Sequence, residues 1–401
     1  MSRGTAARAV VAAVLAAGWA IAAWLLWRSS VVPSLRLPHL DERAYFSKAL
    51  LKRTESFGHF TLIDWILMTL AQLVALSIYA QKGIRFARES AAGRLGTGML
   101  LGMIGFALVW AAQLPFDVAA LWWERRHHLT HVGYVEHVFG NWLGLGGQFV
   151  FLCLALAVVM RLARALPRLW WAAAAPFFIG LALLFSFVTP WLLPTHRLNS
   201  PVLRAATVRL ERIEHVRRIP VVVENVHDVT SLPNAEATGL GPSRRVVLWD
   251  TLVNEFTPRE VTVVIAHELG HLAHNHIWKD IGWYALFAFP GTFLIGRATR
   301  GRGGMAQPAA VPLSLLVLVV LNLLALPLQN AISRHMEAEA DWSSLQATHD
   351  PAGATALFRR FVPTTLGAPN VSAFEYVMLE NHPTIMQRLA MVQAWRTRNG
   401  R

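Results

Sequence analysis

The chain has 401 residues, of which 54% are hydrophobic and 15% are charged, and its formal net charge is +13. So large an apolar share with so few charges is typical of membrane proteins and excludes a disordered chain. The excess of basic residues does not indicate nucleic-acid binding, because the arginines fall in short loops and at domain edges and form no single stripe. The sole cysteine, Cys153, lies in an apolar segment and cannot form an intramolecular disulfide.

Seven apolar segments are long enough, or nearly so, to cross a bilayer, which requires about 20 helical residues. The first follows Arg3 and Arg8, and we expect a retained anchor because its apolar core is longer than that of a typical signal peptide. The sixth is the weakest, since it is short and contains Pro290 and Gly291. The approximate segments are 9–27, 62–80, 97–115, 142–160, 170–193, 282–297 and 310–332.

Two polar stretches alternate with these segments, and they must pack together if they form one domain. Within the first, residues 203–218 predict an amphipathic helix. The β-branched runs 221–223 and 245–249 predict short strands that flank a connection rich in Pro, Asn and Gly. The predicted organisation is five spans in 1–194, the first part of the polar domain in 195–281, two spans in 282–332 and the rest of the polar domain in 333–401.

The sequence His-Glu-Leu-Gly-His at 267–271 lies in a strongly predicted helix that begins with a Thr257/Glu260 capping box. His267 and His271 are four residues apart, so they share one helix face and can bind one metal ion. Glu268 lies beside that face, where it can accept a proton from a metal-bound water without binding the metal itself. This spacing predicts a catalytic zinc site.

A third metal ligand is predicted on a second helix, in the segment Ser-Arg-His-Met-Glu-Ala-Glu-Ala-Asp at 333–341. Glu337 and Asp341 are four residues apart, so both carboxylates face the same way. Glu337 would complete a His-His-Glu zinc set and leave the fourth position for water. Asp341 would not bind the metal itself. It would accept a hydrogen bond from a ligating imidazole and so hold that ring in one tautomer. Glu339 points off that face and is expected to be a solvated or structural carboxylate.

Other histidines are expected to serve other roles. His274 and His276 follow the motif, but neither shares its metal-binding face well, so they are predicted to be interfacial or lining residues. Four more histidines have a spacing that matches no helix face, and a polar hairpin between two spans explains them better than a second metal site. These four are His127, His128, His131 and His137.

Taken together, these motifs resemble those of the CAAX prenyl protease type 1 family of integral-membrane zinc metallopeptidases, relatives of the HtpX-type proteases. The resemblance covers nearly the whole chain. Its motifs are the zinc helix at 267–271, the third-ligand segment 333–341, the segments 231–235 and 245–252, the segment Asn381-His382-Pro383 with Arg388, and the loop 114–124. The stretch after Ala235, Glu-Ala-Thr-Gly, differs from the aromatic-rich stretch of the eukaryotic members, so their substrates are not expected to carry over.

The resemblance implies a mainly α protein of seven spans that encloses a chamber and carries a gluzincin-type zinc metallopeptidase domain with a small β-sheet. It implies one zinc ion per chain and a polypeptide substrate. His382 and Arg388 would line the active site, where they are candidates to stabilise the oxyanion. Asn234 and Ala235 lie on the substrate side, and a strand edge there could hold an extended peptide by main-chain pairing.

Two function classes remain open at the level of sequence. The first is a membrane zinc endopeptidase that acts on membrane-associated or lipid-modified polypeptides, with an HtpX-like quality-control protease as a variant. The second is a non-catalytic zinc-binding membrane scaffold. The intact Glu268 favours the enzyme, because a structural zinc site has no use for a carboxylate beside an open coordination position. A transporter finds little support, because no charged relay lies inside the predicted spans apart from Asp64 near one end.

The arginine-rich and alanine-rich composition suggests a bacterial chain, and hence an inner-membrane location. The basic loops give opposite answers about the side of the zinc domain. Loops 82–94, 161–168 and 297–302 lie opposite that domain if there are seven spans, which would place the domain outside the cytoplasm. The segment 28–53, with six basic residues, lies on the domain's own side. The side therefore stays open.

Overall fold

The computed structural model describes residues 3–89, 91–140 and 142–400, and within them the chain is mainly α-helical with one small sheet. The strands are β1 Thr195–Arg197, β2 Val221–Glu224, β3 Ala235–Thr238 and β4 Arg245–Trp249. The helices are α1 Arg3–Arg28, α2 Lys48–Lys82, α3 Ile84–Glu89, α4 Gly93–Arg126, α5 Tyr134–Phe139, α6 Trp142–Ala165, α7 Trp170–Leu192, α8 Pro201–Ile213, α9 Asp250–Glu255, α10 Pro258–Ala273, α11 His276–Ala298, α12 Val311–Thr348, α13 Pro351–Thr365, α14 Ala373–Met378 and α15 Ile385–Arg398.

Six helical stretches among the described residues are long and apolar enough to cross a membrane, and they contain six of the seven predicted spans. The remaining predicted span, 282–297, lies in α11, which is not among the six. The first turns of α11 carry the polar residues His276, Lys279 and Asp280, which leaves its apolar part short. A count of seven spans is therefore not confirmed. The six stretches are Val10–Arg28, Lys48–Phe86, Gly93–Arg126, Tyr134–Ala165, Trp170–Leu192 and Pro308–Thr348.

Two long helices connect the membrane part with the polar domain. α12 is 38 residues long, and it runs unbroken from the predicted last span into the third-ligand segment. α11 likewise begins directly after α10 and continues into the apolar region. The predicted boundaries at 281/282 and 332/333 thus fall inside continuous helices. As a result, the positions of the site residues on α12 are fixed rigidly relative to the membrane helices.

The sheet has the strand order β1-β2-β4-β3, so β3 is an edge strand. β2 and β4 are parallel, whereas β1 pairs with β2 and β3 pairs with β4 in antiparallel fashion. Two of these strands, β2 and β4, lie where the β-branched runs predict them. The predicted helix 203–218 is wrong at both ends: α8 begins at Pro201 behind an N-cap at Ser200 and ends at Ile213, because His215 adopts a left-handed conformation with φ of 54°.

The polar domain has its own hydrophobic core, into which α10 is inserted. This core joins buried residues of α8, β4, α10, α12, α13 and α15, including Leu248, Ile265, Leu345 and Trp395. A separate apolar cavity of about 710 Å³ lies in the membrane part between α6, α7, α11 and α12. This cavity is modest in size, and the enclosed chamber that the resemblance implies stays a prediction.

Candidate metal centre

The central helix of the site, α10, begins as the sequence predicts. Thr257 is its N-cap, the backbone N–H of Thr257 donates to Glu260 Oε2 at 2.8 Å, and the Glu260 N–H donates to Thr257 Oγ1 at 3.3 Å. These reciprocal bonds satisfy two of the donors that a helix N-terminus leaves free. Nearly every residue from Val261 to Leu272 is buried. The histidine pair is therefore held on a rigid, desolvated helix.

The three predicted ligands come together in the structure. His267 Nε2 and His271 Nε2 lie 3.0 Å apart. Glu337 on α12 places Oε2 3.1 Å from His267 Nε2 and Oε1 3.4 Å from His271 Nε2. Among the described residues, these three form the one cluster of His, Cys and acidic side chains with metal-ligand spacing. The predicted His-His-Glu arrangement is thus present as a geometric unit.

This cluster fits a zinc ion in both geometry and charge. Ligand atoms bound to zinc at about 2.05 Å in a tetrahedron lie about 3.3 Å apart, close to the observed 3.0–3.4 Å. Glu337 Oε2 is buried and lacks a hydrogen-bond partner, as expected of an atom reserved for a metal. Burial lowers the pKa of His267, but the Asp341 and Glu337 carboxylates outweigh it and raise the pKa to about 10, so this position strongly favours positive charge.

Asp341 lies behind the first ligand, as the sequence predicts for an outer residue. Its Oδ1 is 3.0 Å from His267 Nδ1, although the ring N–H is not aimed well enough at this oxygen to form a regular hydrogen bond. Arg388 on α15 holds Asp341 from the other side and donates through both Nε, at 2.8 Å, and Nη2. The guanidinium also lies 4.4 Å from the ring centre of Phe358. These contacts fix the carboxylate that faces His267.

The remaining predicted residues line a cleft of about 100 Å³ next to the ligands. Glu268 is 7% exposed and faces this cleft. Asn234 and Ala235, at the start of the edge strand β3, form another part of its wall. Asn234 is tied to β4 because its carbonyl accepts from the Trp249 N–H at 2.9 Å. The structure therefore brings the predicted base and the predicted substrate edge into one cleft.

His382 enters this cleft from the segment between α14 and α15. Its Nε2 lies 3.1 Å from Glu337 Oε2, and its Nδ1 lies 2.7 Å from Asn381 Oδ1. The segment is held by Arg334 of α12, whose Nη1 donates to the carbonyls of Tyr376, at 2.6 Å, and Glu380. The motifs alone assign no role to Arg334. The feature that could have identified Arg334 is its position within the third-ligand segment 333–341, three residues before Glu337. In the structure its side chain faces the segment that carries His382.

Glu339 and His276 are more deeply buried and have more defined hydrogen-bond partners than the sequence predicted. Glu339 is buried, not solvated, and accepts hydrogen bonds from His276 and Lys279. His276 is also fully buried rather than lining a surface, and its ring contacts His271. His274 is the more exposed of the two histidines, with a side chain 38% exposed. Helix periodicity alone could not find the His276 contact, because α10 ends at Ala273 and the chain turns at Asn275, whose φ is 56°.

The four-histidine segment lies between α4 and α6, as the hairpin interpretation predicts. His131 N–H donates to the Val229 carbonyl at 2.9 Å, and Thr130 pairs with Thr230 in a β-bridge. The segment thus packs against residues 229–231, just before β3. In the part of the chain that the structure describes, these histidines form no cluster with metal-ligand spacing.

The described residues thus combine six helical stretches that could cross a membrane with one cluster of side chains at metal-ligand spacing. The model of Peptidase family M48 matches residues 195–396. The chain is 27% identical over 274 residues to the "Uncharacterized metalloprotease YhfN" of Bacillus subtilis, covering 63% of this chain and 62% of that protein. It is 46% identical over 67 residues to CAAX prenyl protease 1 of Saccharomyces cerevisiae, covering 16% and 14%.

The match to a solved structure extends over more of the chain. The crystal structure of S. mikatae Ste24p superposes with a TM-score of 0.68 at 18% identity, covering 94% of this chain and 96% of that chain. At that identity the likeness shows the fold. Because the family model covers half of the chain, this chain belongs to Peptidase family M48. It spans a little under two thirds of the length of the Bacillus relative.

Proposed function

We propose that this chain is a membrane-embedded zinc endopeptidase that hydrolyses peptide bonds of membrane-associated or lipid-modified polypeptides. One observation carries the proposal. The Nε2 atoms of His267 and His271 lie 3.0 Å apart, the two carboxylate oxygens of Glu337 lie 3.1 and 3.4 Å from them, and a cleft lined by Glu268 adjoins this cluster. A structural zinc site would not need a carboxylate in a cleft beside an open coordination position, so the scaffold alternative is disfavoured.

The mechanism assigns separate tasks to the residues of the cleft. A zinc ion held by His267, His271 and Glu337 would supply Lewis-acid polarisation of the scissile carbonyl and a bound water with a pKa of about 7. Glu268 takes the proton from the attacking water and returns it to the leaving amine. Asp341 orients His267.

Substrate would be held at the edge strand β3. This strand pairs with β4 on one side only, so its other edge can accept an extended peptide by main-chain hydrogen bonds near Asn234 and Ala235. Glu236 follows on this strand, and burial together with the nearby Glu268 charge raises its pKa.

His382 and Arg388 both remain candidates to stabilise the tetrahedral oxyanion. Arg388 already uses Nε and Nη2 to hold Asp341, whereas the His382 side chain is 45% exposed in the cleft. An imidazolium at His382 would donate from Nδ1 to Asn381 and still offer Nε2–H to the oxyanion. We therefore assign the direct contact to His382 and a supporting contact to Arg388.

The apolar cavity supports a membrane-associated substrate. Its wall includes Trp283, Tyr284 and Leu318, and at its polar end Asp280 and Ser333. Ser333 lies four residues before Glu337 on α12, so the cavity ends about one helical turn from the metal ligand. A lipid chain or apolar segment in the cavity would therefore bring an attached peptide to the zinc. An HtpX-like protease of misfolded membrane proteins would use the same geometry.

The location that fits this function is a bacterial inner membrane, crossed by the six apolar stretches and, in the seven-span arrangement, by α11. The basic loops leave open which side the zinc domain faces.

Metal removal tests the proposal directly. Purified protein in lipid nanodiscs is expected to contain one zinc per chain and to cleave a peptide carrying a lipid anchor. Dialysis against 1,10-phenanthroline should abolish cleavage, and one equivalent of zinc should restore it. Undiminished cleavage by protein from which all metal has been removed would refute the proposal.

A further inference from the structure

The second zinc ligand, His271, contacts another histidine through the ring nitrogen that faces away from the metal cluster. His271 Nδ1 and His276 Nδ1 lie 2.8 Å apart, and the two rings are 4.8 Å apart at an angle of 77°. The His276 side chain is only 2% exposed. One of the two Nδ1 atoms must therefore donate a proton in this hydrogen bond and the other must accept it.

Glu339 decides the direction of that hydrogen bond. Its Oε2 lies 2.8 Å from His276 Nε2 and 3.1 Å from Lys279 Nζ, and its Oε1 accepts from the Val31 N–H at 2.6 Å. An ionised carboxylate only accepts, so His276 Nε2 carries the proton and donates to Glu339. In a neutral imidazole, Nδ1 is then the acceptor. His271 must donate from Nδ1–H, which leaves the lone pair of its Nε2 free for a metal.

The end of the first helix holds this arrangement in place. Lys279 Nζ donates to the Ser29 carbonyl and to Ser30 Oγ, both at 3.0 Å, as well as to Glu339. His335 of α12 stacks on Trp27, with ring centres 4.3 Å apart, and contacts the Ser30 carbonyl at 2.8 Å. Residues 27–31 thus close over the buried carboxylate and supply one of its three donors directly.

We propose that His276 and Glu339 are positioning residues that fix the tautomer and ring orientation of His271 for zinc, with residues 29–31 securing Glu339. This inference rests on the zinc site proposed above. The first ligand is oriented differently, because Asp341 faces His267 Nδ1 with no intervening ring. The second ligand is oriented through a histidine, and this extends the metal site to the N-terminal helix.

The direction of the hydrogen bonds can be reversed by a substitution of nearly the same shape. In Glu339→Gln, we expect the amide oxygen to take the place of Oε1, because Glu339 is the acceptor of the Val31 N–H among the described residues, whereas Lys279 keeps the Ser29 carbonyl and Ser30 Oγ as acceptors. The amide NH2 then faces His276 Nε2, which has to accept. His276 would donate from Nδ1, His271 would accept at Nδ1, and the proton of His271 would move to Nε2, where it blocks the metal.

The test measures zinc dissociation constants of the full chain in detergent by competition with a chromophoric chelator. Glu339→Gln should raise Kd about 10- to 100-fold, the usual cost of losing an outer partner of a metal ligand. His276→Gln should stay within about threefold of wild type, because its amide can accept from His271 and donate to Glu339. Glu214→Gln is the matched control, since Glu214 accepts from Ser343 of the same helix α12 outside this network.

A second readout separates positioning from general destabilisation. The visible spectrum of the cobalt-substituted protein should change in Glu339→Gln and not in Glu214→Gln, while helical content and metal-free melting temperature stay close to wild type in both. A wild-type Kd and cobalt spectrum for Glu339→Gln would overturn the proposal. If the wild-type chain itself binds no zinc in this titration, the proposed function fails together with the inference.

Discussion

Three side chains on two helices form the proposed zinc site, and Glu337 is the one contributed by α12. Replacing Glu337 with Ala should strip zinc from the protein and leave helical content nearly unchanged, because it removes one of three ligands from a preformed site. Metal analysis after mild chelation, with circular dichroism, checks this. Glu339 cannot substitute, since three donors already hold it. Full zinc retention by Glu337→Ala would require another third ligand.

At the residue scale, the spacing of residues along each helix was enough to predict the proposed zinc ligands. His267 and His271, and likewise Glu337 and Asp341, are four residues apart on their helices, so the helical repeat alone places each pair on one face. The contact between His271 and His276 depends on the turn at Asn275 and on residues 29–31, which are more than 200 residues away in sequence. The pairing of Arg388 with Asp341 likewise depends on how α15 packs. Such contacts have no periodic signal in the sequence.

At the scale of elements, the site depends on how closely α10 approaches α12. A Cβ added at Gly270 would lie 3.2 Å from Ser343 Cβ and 3.4 Å from Ala340 Cα. Gly270→Val should wedge the two helices apart, lower stability by about 1–3 kcal/mol and weaken zinc binding, because α10 carries two ligands and α12 the third.

Thermal unfolding and the zinc Kd measure both effects. Gly270→Ala is the matched control and should stay near wild type, since its tight contact is offset by the better helix propensity of Ala. Wild-type unfolding and zinc binding for Gly270→Val would show that the helix contact does not set the ligand geometry.

Helices and strands that are specified by a local sequence pattern could be predicted. Elements that form only by pairing with a distant strand were harder to predict. The capping box at Thr257 and Glu260 and the β-branched strands β2 and β4 form as expected. β1 is three residues long and exists only through its antiparallel pairing with β2. The sequence also did not predict that α12 continues across the predicted boundary at 332/333, because the hydropathy changes there although the helix does not end.

At the scale of the whole molecule, the apolar cavity reaches Ser333 of α12, about one helical turn before the proposed zinc ligand Glu337. A lipidated peptide should therefore be cleaved with a kcat/KM higher than that of its unmodified version, on the order of 10-fold or more, since each buried methylene contributes about 0.8 kcal/mol. Ala325→Phe, which fills the cavity, should reduce that preference. Leu324→Phe is the matched control, because Leu324 is 72% exposed. Equal kcat/KM values for the peptide pair would mean that the cavity does not bind substrate.

The central claim is that Glu268 acts as the base in zinc-dependent hydrolysis, and Glu268→Gln tests it most directly. The zinc content and peptide cleavage of this variant should be measured in the same preparation. We expect one zinc per chain, because Glu268 is not a ligand, and a loss of cleavage of about 100- to 10,000-fold, because the proton acceptor is gone. Cleavage at near the wild-type rate by the zinc-loaded variant would contradict the account.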